Sequence, residues 1–332
     1  EGNGTIRIEV PTDMPETRFS ISFSKLNTYY KQEVIPMLTG DGLVISGSGS
    51  RSIMPAGEDR FTPKSLSLLI GEIGVPDLKS YQRFLPDKWA LTLRGGQGQL
   101  QGSLSVNQNR FDADLKLSSD EANIGIKDYD FKSGLEARAS LNSENLKIGK
   151  FDISGTYIKI DNAIIGTEQD PSKPWFASIS IDQGSMDLNL DKHTRDQPEA
   201  QSLLDIIKQK EVKDLLSGAD NNLKISGRIS DLRWLNALVD TPYDFAITGS
   251  GNIDSNLVIH SGWLDVGTHL NLEPQRIGVN IMDYRAEGDG RVEFKVIKGG
   301  PQPDISLQVE LNDGMFKREE ESQAFIENVH IL

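Results

Sequence analysis

Along most of this chain, apolar and polar side chains take turns. Leu100, Leu104 and Val106 alternate with Gln99, Gln101, Ser103 and Ser105, and Phe111, Ala113, Leu115 and Leu117 with Asp112, Asp114 and Lys116. The beat continues through Leu135, Ala137, Ala139 and Leu141, then Ile158 and Ile160, then Ala177, Ile179 and Ile181. It is cleanest in the last third: Leu257 and Ile259; Leu264, Val266 and Leu270; Ile277 and Val279; Val292, Phe294 and Val296; Leu307 and Val309. Successive side chains of a strand point to opposite faces, so each segment predicts a strand with one apolar and one polar face. Strands buried on both faces would read as unbroken apolar runs, so the pattern predicts antiparallel sheet with one solvated side. Turn-forming clusters such as Asn107-Gln108-Asn109, Asp182-Gln183-Gly184, His260-Ser261-Gly262 and Lys298-Gly299-Gly300-Pro301 separate the segments. Their spacing of roughly 8–12 residues is the rhythm of a meander.

Few helices are expected. Pro198 to Leu216 carries Ala200, Leu203, Leu204, Ile207, Leu215 and Leu216 on one face, with Gly218 just after it, which predicts an amphipathic helix over 198–216. Shorter helices are predicted where Pro76 opens onto Leu78, Tyr81 and Leu85, where Ser230 precedes Leu232 to Leu238, and where Ser24 precedes Leu26 to Val34. A soft division falls near the long helix. It separates an N-terminal β-rich region, 1–195, from a C-terminal region, 196–332, with one continuous domain as the alternative.

Composition narrows the function. The 332 residues carry 35 Lys+Arg against 49 Asp+Glu, a net charge of −14. An acidic chain lacks the basic footprint that nucleic acid requires, so no nucleic-acid partner is expected. There is no cysteine, which removes thiol nucleophiles, thiolate metal sites and disulfides together. The chain opens at Glu1 and closes at Leu332 directly after a strand-like stretch. We therefore expect a longer parent protein, with any anchor or export signal outside this sequence.

No catalytic or cofactor motif emerges. Gly96, Gly98 and Gly102 miss the G-x-G-x-x-G spacing by one residue and lead into a strand rather than a helix, so they predict a twisted or bulged strand, not a phosphate loop. His193, His260, His269 and His330 match no metal-ligand spacing. The acidic runs, Glu319-Glu320-Glu321 among them, read as solvated surface. The expectation is a protein that is not an enzyme, with no cofactor and no metal.

What remains is a very large apolar face, which a sheet must bury against something. Either two sheets close on each other, or one sheet curls lengthwise and leaves an apolar trough.

The stretch from Leu223 to Leu332 favours the trough. Gly249-Ser250-Gly251-Asn252-Ile253, Gly262-Trp263-Leu264-Asp265-Val266-Gly267-Thr268 and Asp283-Tyr284-Arg285-Ala286-Glu287-Gly288-Asp289-Gly290 resemble strand and hairpin motifs of the AsmA-like superfamily of Gram-negative envelope proteins, nearest its YdbH and TamB branches. The segment Phe151 to Ala163 is similar in style, and the first 90 residues match nothing in it. The resemblance implies a mainly β fold: an elongated, curled antiparallel sheet of U-shaped cross-section, β-taco-like, with a few short helices. Two β-sandwich domains are the alternative. It also implies a periplasmic segment of an inner-membrane-anchored, bridge-like lipid-transfer or outer-membrane-biogenesis protein. The partners would be phospholipid acyl chains and inner- and outer-membrane proteins. The expected lipid-facing groove is Leu257, Ile259, Leu264, Val266, Leu270, Ile277, Val279, Val292, Phe294, Val296, Leu307 and Val309. A non-catalytic envelope scaffold with a filled core and a polysaccharide-acting β-helix enzyme are the other two readings.

Overall fold

The computed structural model describes residues 2–9, 16–30, 34–53, 59–87, 91–126, 129–167, 170–171, 175–190, 212–233, 245–282, 284–318 and 324–331. The fold is mainly β, built on one large antiparallel sheet. Its strands are β1 (Gly2–Glu9), β2 (Glu16–Thr28), β3 (Leu38–Gly40), β4 (Leu43–Ile53), β5 (Asp59–Val75), β6 (Leu91–Gly95), β7 (Gly98–Asn107), β8 (Arg110–Ile126), β9 (Tyr129–Ser143) and β10 (Lys150–Asp152). They continue as β11 (Tyr157–Thr167), β12 (Asp170–Pro171), β13 (Trp175–Asp187), β14 (Asp220–Ile229), β15 (Phe245–His260), β16 (Trp263–Leu264), β17 (His269–Ile281), β18 (Tyr284–Lys298), β19 (Asp304–Arg318) and β20 (Ala324–Ile331).

The long strands pair in chain order, each with the one before and the one after. From β1 they run through β2, β4, β5, β7, β8, β9, β11, β13, β14, β15, β17, β18 and β19 to β20. The short strands fill the ladder where a long one stops: β10, for example, bonds β9 and β13 beyond the end of β11. The described strands on either side of residues 191–211 belong to the same sheet, because β13 and β14 pair from Ala177↔Ile229 to Asp187↔Asp220.

Register decides where the apolar side chains go. Directly opposed residues share a face, and Ile21, Ile45, Leu68, Leu104, Ala113 and Leu141 oppose one another in turn across β2, β4, β5, β7, β8 and β9. Leu272, Val292 and Val309 do the same across β17, β18 and β19. The bulges preserve this phase. In β8 the register shifts between Ser119 and Ala122, and in β11 between Asp161 and Ile164. An extra residue is absorbed, so that Ile124 and Ala163 return to the apolar side.

One band of this face is fully buried. Ile73, Ile124, Ile229, Leu272, Ile277, Val279, Val292, Val309 and Leu311 are each at most 1% exposed. All but Ile73, which packs with Leu26, Leu43 and Ile70, join one cluster with Phe131 and Trp175, whose rings meet edge to face at 5.4 Å. Two insertions complete it. A 3-10 helix, Leu78–Phe84, contributes Leu78, and the turn after β14 contributes Leu232, each 0% exposed. Leu78 N–H donates to Gly96 O and Leu232 N–H to Gly249 O, both at 2.8 Å. The chain exposes 20178 Å2, about half again the roughly 13,500 Å2 of a compact 36.7-kDa monomer.

The helix expectations need correction. Leu26 and its neighbours belong to β2, not to a helix capped by Ser24, because Leu26 opposes Gly40 and packs with Leu43 and Ile70. Asp77 rather than Pro76 starts the segment over Leu78, its carboxylate accepting from Lys79 N–H, and the coil is 3-10 rather than α. Among the described residues Ser230 bonds the neighbouring strand rather than the turn that follows it. Its hydroxyl accepts from Phe176 N–H at 2.7 Å, while Asp231 accepts from Arg233 N–H. Residues 234–238 of that expected helix lie outside the described residues. Of the helix expected over 198–216, the described part is α1 (Val212–Ser217), and 198–211 lie outside the described residues.

Truncating the buried band should cost far more than truncating its neighbours. Ile277→Ala is expected to lower unfolding free energy by about 2–5 kcal/mol. Half-buried Leu257→Ala should cost clearly less, as read from urea unfolding curves. Equal losses at the two positions would mean that the face is uniformly packed.

Candidate functional site

Next to the buried band, the same face is incompletely covered. Ile181, Ile225, Ser255, Leu270, Phe294 and Leu307 oppose one another in turn across β13, β14, β15, β17, β18 and β19. Five of the six are apolar and half-buried. The sixth, Ser255, is 2% exposed, and its hydroxyl donates to His269 O at 2.9 Å. The row therefore presents no free polar group.

At Ile181 and Ile225 this row opens into a cavity of about 620 Å3. Its sheet wall is built from Leu100, Leu115, Leu117, Ala137, Ile158 and Ile179. Ile179, Ile158, Ala137, Leu117 and Leu100 form a second row in register across β13, β11, β9, β8 and β7. Tyr81 and Leu85, from the 3-10 segment, also line the space. Tyr81 donates its hydroxyl hydrogen to Met37 O at 3.1 Å, and burial pushes its pKa up to about 12. Its ring thus stays neutral over the cavity at any physiological pH. Two other hollows, of about 710 Å3 beside Asn142, Lys150 and Gln183 and about 1040 Å3 beside Asp77, Gln97 and Glu121, have walls of mixed polarity and contain none of these row residues.

The groove residues expected from sequence divide into three sets. Leu257, Ile259, Leu264, Leu270, Phe294 and Leu307 are half-buried on the apolar face, Leu264 opposing Ile259. Ile277, Val279, Val292, Val296 and Val309 are buried, between 0% and 4% exposed, and act as packing. Val266 is a correction: it lies in the turn between β16 and β17, 58% exposed, not on a strand. The loop closes there because Thr268 N–H bonds Asp265 O and Asp265 Oδ1 accepts from Val266 N–H, which breaks the alternation. The cavity wall in the middle strands lies outside the groove expected from sequence. The signal for it was the same alternation, in residues the resemblance did not emphasise.

The outer side of the cavity wall is charged. Glu136 accepts from Tyr157 at 2.8 Å and pairs with Lys116 at 2.8 Å and Lys159 at 3.0 Å. Arg138 grips Asp114 with two bonds of 2.7 Å. These contacts bridge β8, β9 and β11 directly behind Leu117, Ala137 and Ile158. Lys116 foremost, then Tyr157 and Lys159, hold the Glu136 carboxyl down at about 2, from an ordinary 4.5.

Among the described residues the remaining candidates assemble no metal site; His193 and Glu319-Glu320-Glu321 lie outside the described residues. Gly96 has φ +107 and lies between β6 and β7, where a Cβ would sit 2.4 Å from Glu121 O. His260 pairs with Asp220 at 3.1 Å at the exposed end of a hairpin. Among the described residues no three His, Asp or Glu side chains gather as a metal site, and no helix is long and apolar enough to cross a membrane. No family model matches the chain, nor does any curated protein or solved structure.

The Glu136 cluster makes a pH prediction. Its lowered pKa stabilises the fold above pH 4.5, and that stabilisation is lost as pH falls towards 2, because the unfolded carboxylate takes up a proton first. Glu136→Gln should therefore be less stable than the parent near neutral pH, with the gap closing between pH 4.5 and 2. Urea midpoints of both proteins across that range measure it. A gap that does not change with pH would remove the cluster as its source.

Proposed function

We propose that this chain is the periplasmic segment of a bridge-like lipid-transfer protein. In this reading the sheet curls into a U-shaped trough and holds phospholipid acyl chains on its apolar face between the inner and outer membranes. The protein works without catalysis or cofactor. The observation that carries the reading is the half-covered row of Ile181, Ile225, Leu270, Phe294 and Leu307, beside a band that is packed shut. A scaffold with a filled core would bury both. The AsmA-like resemblance supports the same conclusion and supplies the envelope location and the membrane-protein partners.

The physics suits a passive conduit. Each methylene moved out of water onto an apolar lining gains about 0.8 kcal/mol. A chain of some sixteen carbons gains on the order of 10 kcal/mol by the same measure, comparable to what it gains inside a bilayer. Movement between the two then costs little in either direction, and the gradient sets the direction. Because the lining offers no charge, it grips the acyl chain and is indifferent to the headgroup.

Mass spectrometry of lipid extracted from the purified chain tests the proposal. Phospholipid should accompany the parent protein, and Phe294→Asp or Ile225→Asp should reduce it at least fivefold while circular dichroism stays β-rich. Val266→Asp, in the exposed turn, should leave it unchanged. A folded parent protein that carries no lipid, even after incubation with phospholipid vesicles, would overturn the reading.

A further inference from the structure

Two alanines give the cavity its shape. On the apolar face of β9, Ala137 and Ala139 lie between Leu135 and Leu141. Leu135 packs into the large buried cluster and Leu141 against Phe151 and Met186. The alanines therefore form a notch that is closed at both ends along the strand. Across the strands the lining continues, through Leu117 to Leu100 on one side and through Ile158 and Ile181 to Ile225 on the other. From β7 to β14 the paired strands are five spacings apart, about 24 Å along the sheet.

The cavity also has a cover. Tyr81 and Leu85 line it from the 3-10 segment, which is pinned by Leu78 N–H to Gly96 O and by Leu93 N–H to Gln82 Oε1 at 2.6 Å. The polar side chains at its border are already engaged. Tyr81 gives its proton to Met37 O, and the Thr156 hydroxyl donates to Ser140 O while accepting from Ser140 N–H. Tyr157 and Arg138 turn to Glu136 and Asp114 on the outer face. Nothing in the lining offers a charge to a headgroup.

We infer that this cavity seats one straight acyl chain, lying across β7 to β14 beneath Tyr81, and that Ala137 and Ala139 set how much of the chain it holds. This rests on the lipid-holding reading and names the ligand of one part of the row: a single aliphatic tail, of a free fatty acid or of a phospholipid, with its headgroup outside. Width sets the number. A volume of 620 Å3 drawn out over about 24 Å is a passage about 6 Å wide. Saturated carbons in contact sit about 4 Å apart, so one chain fits, and two abreast, needing about 8 Å, do not. Volume sets the length. A methylene occupies about the space of a water molecule, roughly 30 Å3, so the cavity holds about twenty carbons. Leucine adds three carbons to each alanine, so leucine at both positions would remove about 180 Å3 and leave room for about fifteen.

Displacement of cis-parinarate, a fluorescent fatty acid, by saturated fatty acids of increasing length tests this. Each methylene taken in should tighten binding to the parent protein about fourfold until about twenty carbons. In Ala137→Leu/Ala139→Leu the gain should stop near about fifteen carbons. Stearate should then bind the variant at least tenfold more weakly than the parent, with decanoate unchanged. Lysophosphatidylcholines of the same tail lengths should break at the same point, and a break with the free acids alone would overturn the placing of the headgroup outside. The same length dependence in parent and variant would eliminate the seat while leaving the trough. So would a parent protein that carries phospholipid yet binds no fatty acid. A parent that binds neither would eliminate both. If the double variant does not fold, NMR of the unaltered chain decides. Stearate with a nitroxide near its methyl end should broaden the methyl signals of Ala137 and Ala139 and spare Ala286, buried on β18. Equal broadening of all three, or of none, would overturn the seat.

Discussion

Everything in this protein depends on strand register. A strand that slips by one residue turns every apolar side chain to the wrong face. Here the phase is kept by direct opposition of one residue to the next, in rows such as Ile21 to Leu141 across β2 to β9 and Leu272 to Val309 across β17 to β19. Glycine helps at the tightest crossings. A Cβ on Gly102 would stand 2.0 Å from Asp114 O, and one on Gly290 would stand 2.0 Å from Glu310 O. The bulges in β8 and β11 lie beside one another on either side of Gly134. The two shifts bend the sheet while leaving the apolar side in phase.

The strands were legible because period-2 alternation is a local property of the sequence. Leu115 and Asp114 alone predict opposite faces. Which apolar residues are packed and which line space was not legible. Ile277 and Leu270 look alike in sequence, and what distinguishes them is what lies across the face. Val266 shows the limit from the other side. Its apolar neighbours are correctly spaced for a strand, but the Asp265–Thr268 turn overrides the pattern. The expected helix after Ser24 failed for a related reason: a short apolar run between polar residues suits either element, and pairing with β3 and β4 chose the strand.

The cavity follows from side-chain size. In the packed band Phe131 and Trp175 fill the space with rings, and Leu78 and Leu232 are inserted from outside the sheet. In the neighbouring rows Ala137 and Ala139 stand where larger side chains would close the gap. Ala139 opposes Leu115, and Leu115 opposes Gly102, so Leu115 stands between two small residues at the level of the cavity.

The two faces of the sheet then carry separate duties. Behind the cavity, Glu136, Lys116, Lys159, Arg138 and Asp114 tie β8, β9 and β11 together with contacts that water can reach. Each exposed pair contributes little by itself, and together they support three strands whose spacing of about 4.8 Å is set by the backbone ladder. The charged contacts sit on the face that meets water, so the wall of the cavity is left almost wholly to apolar side chains.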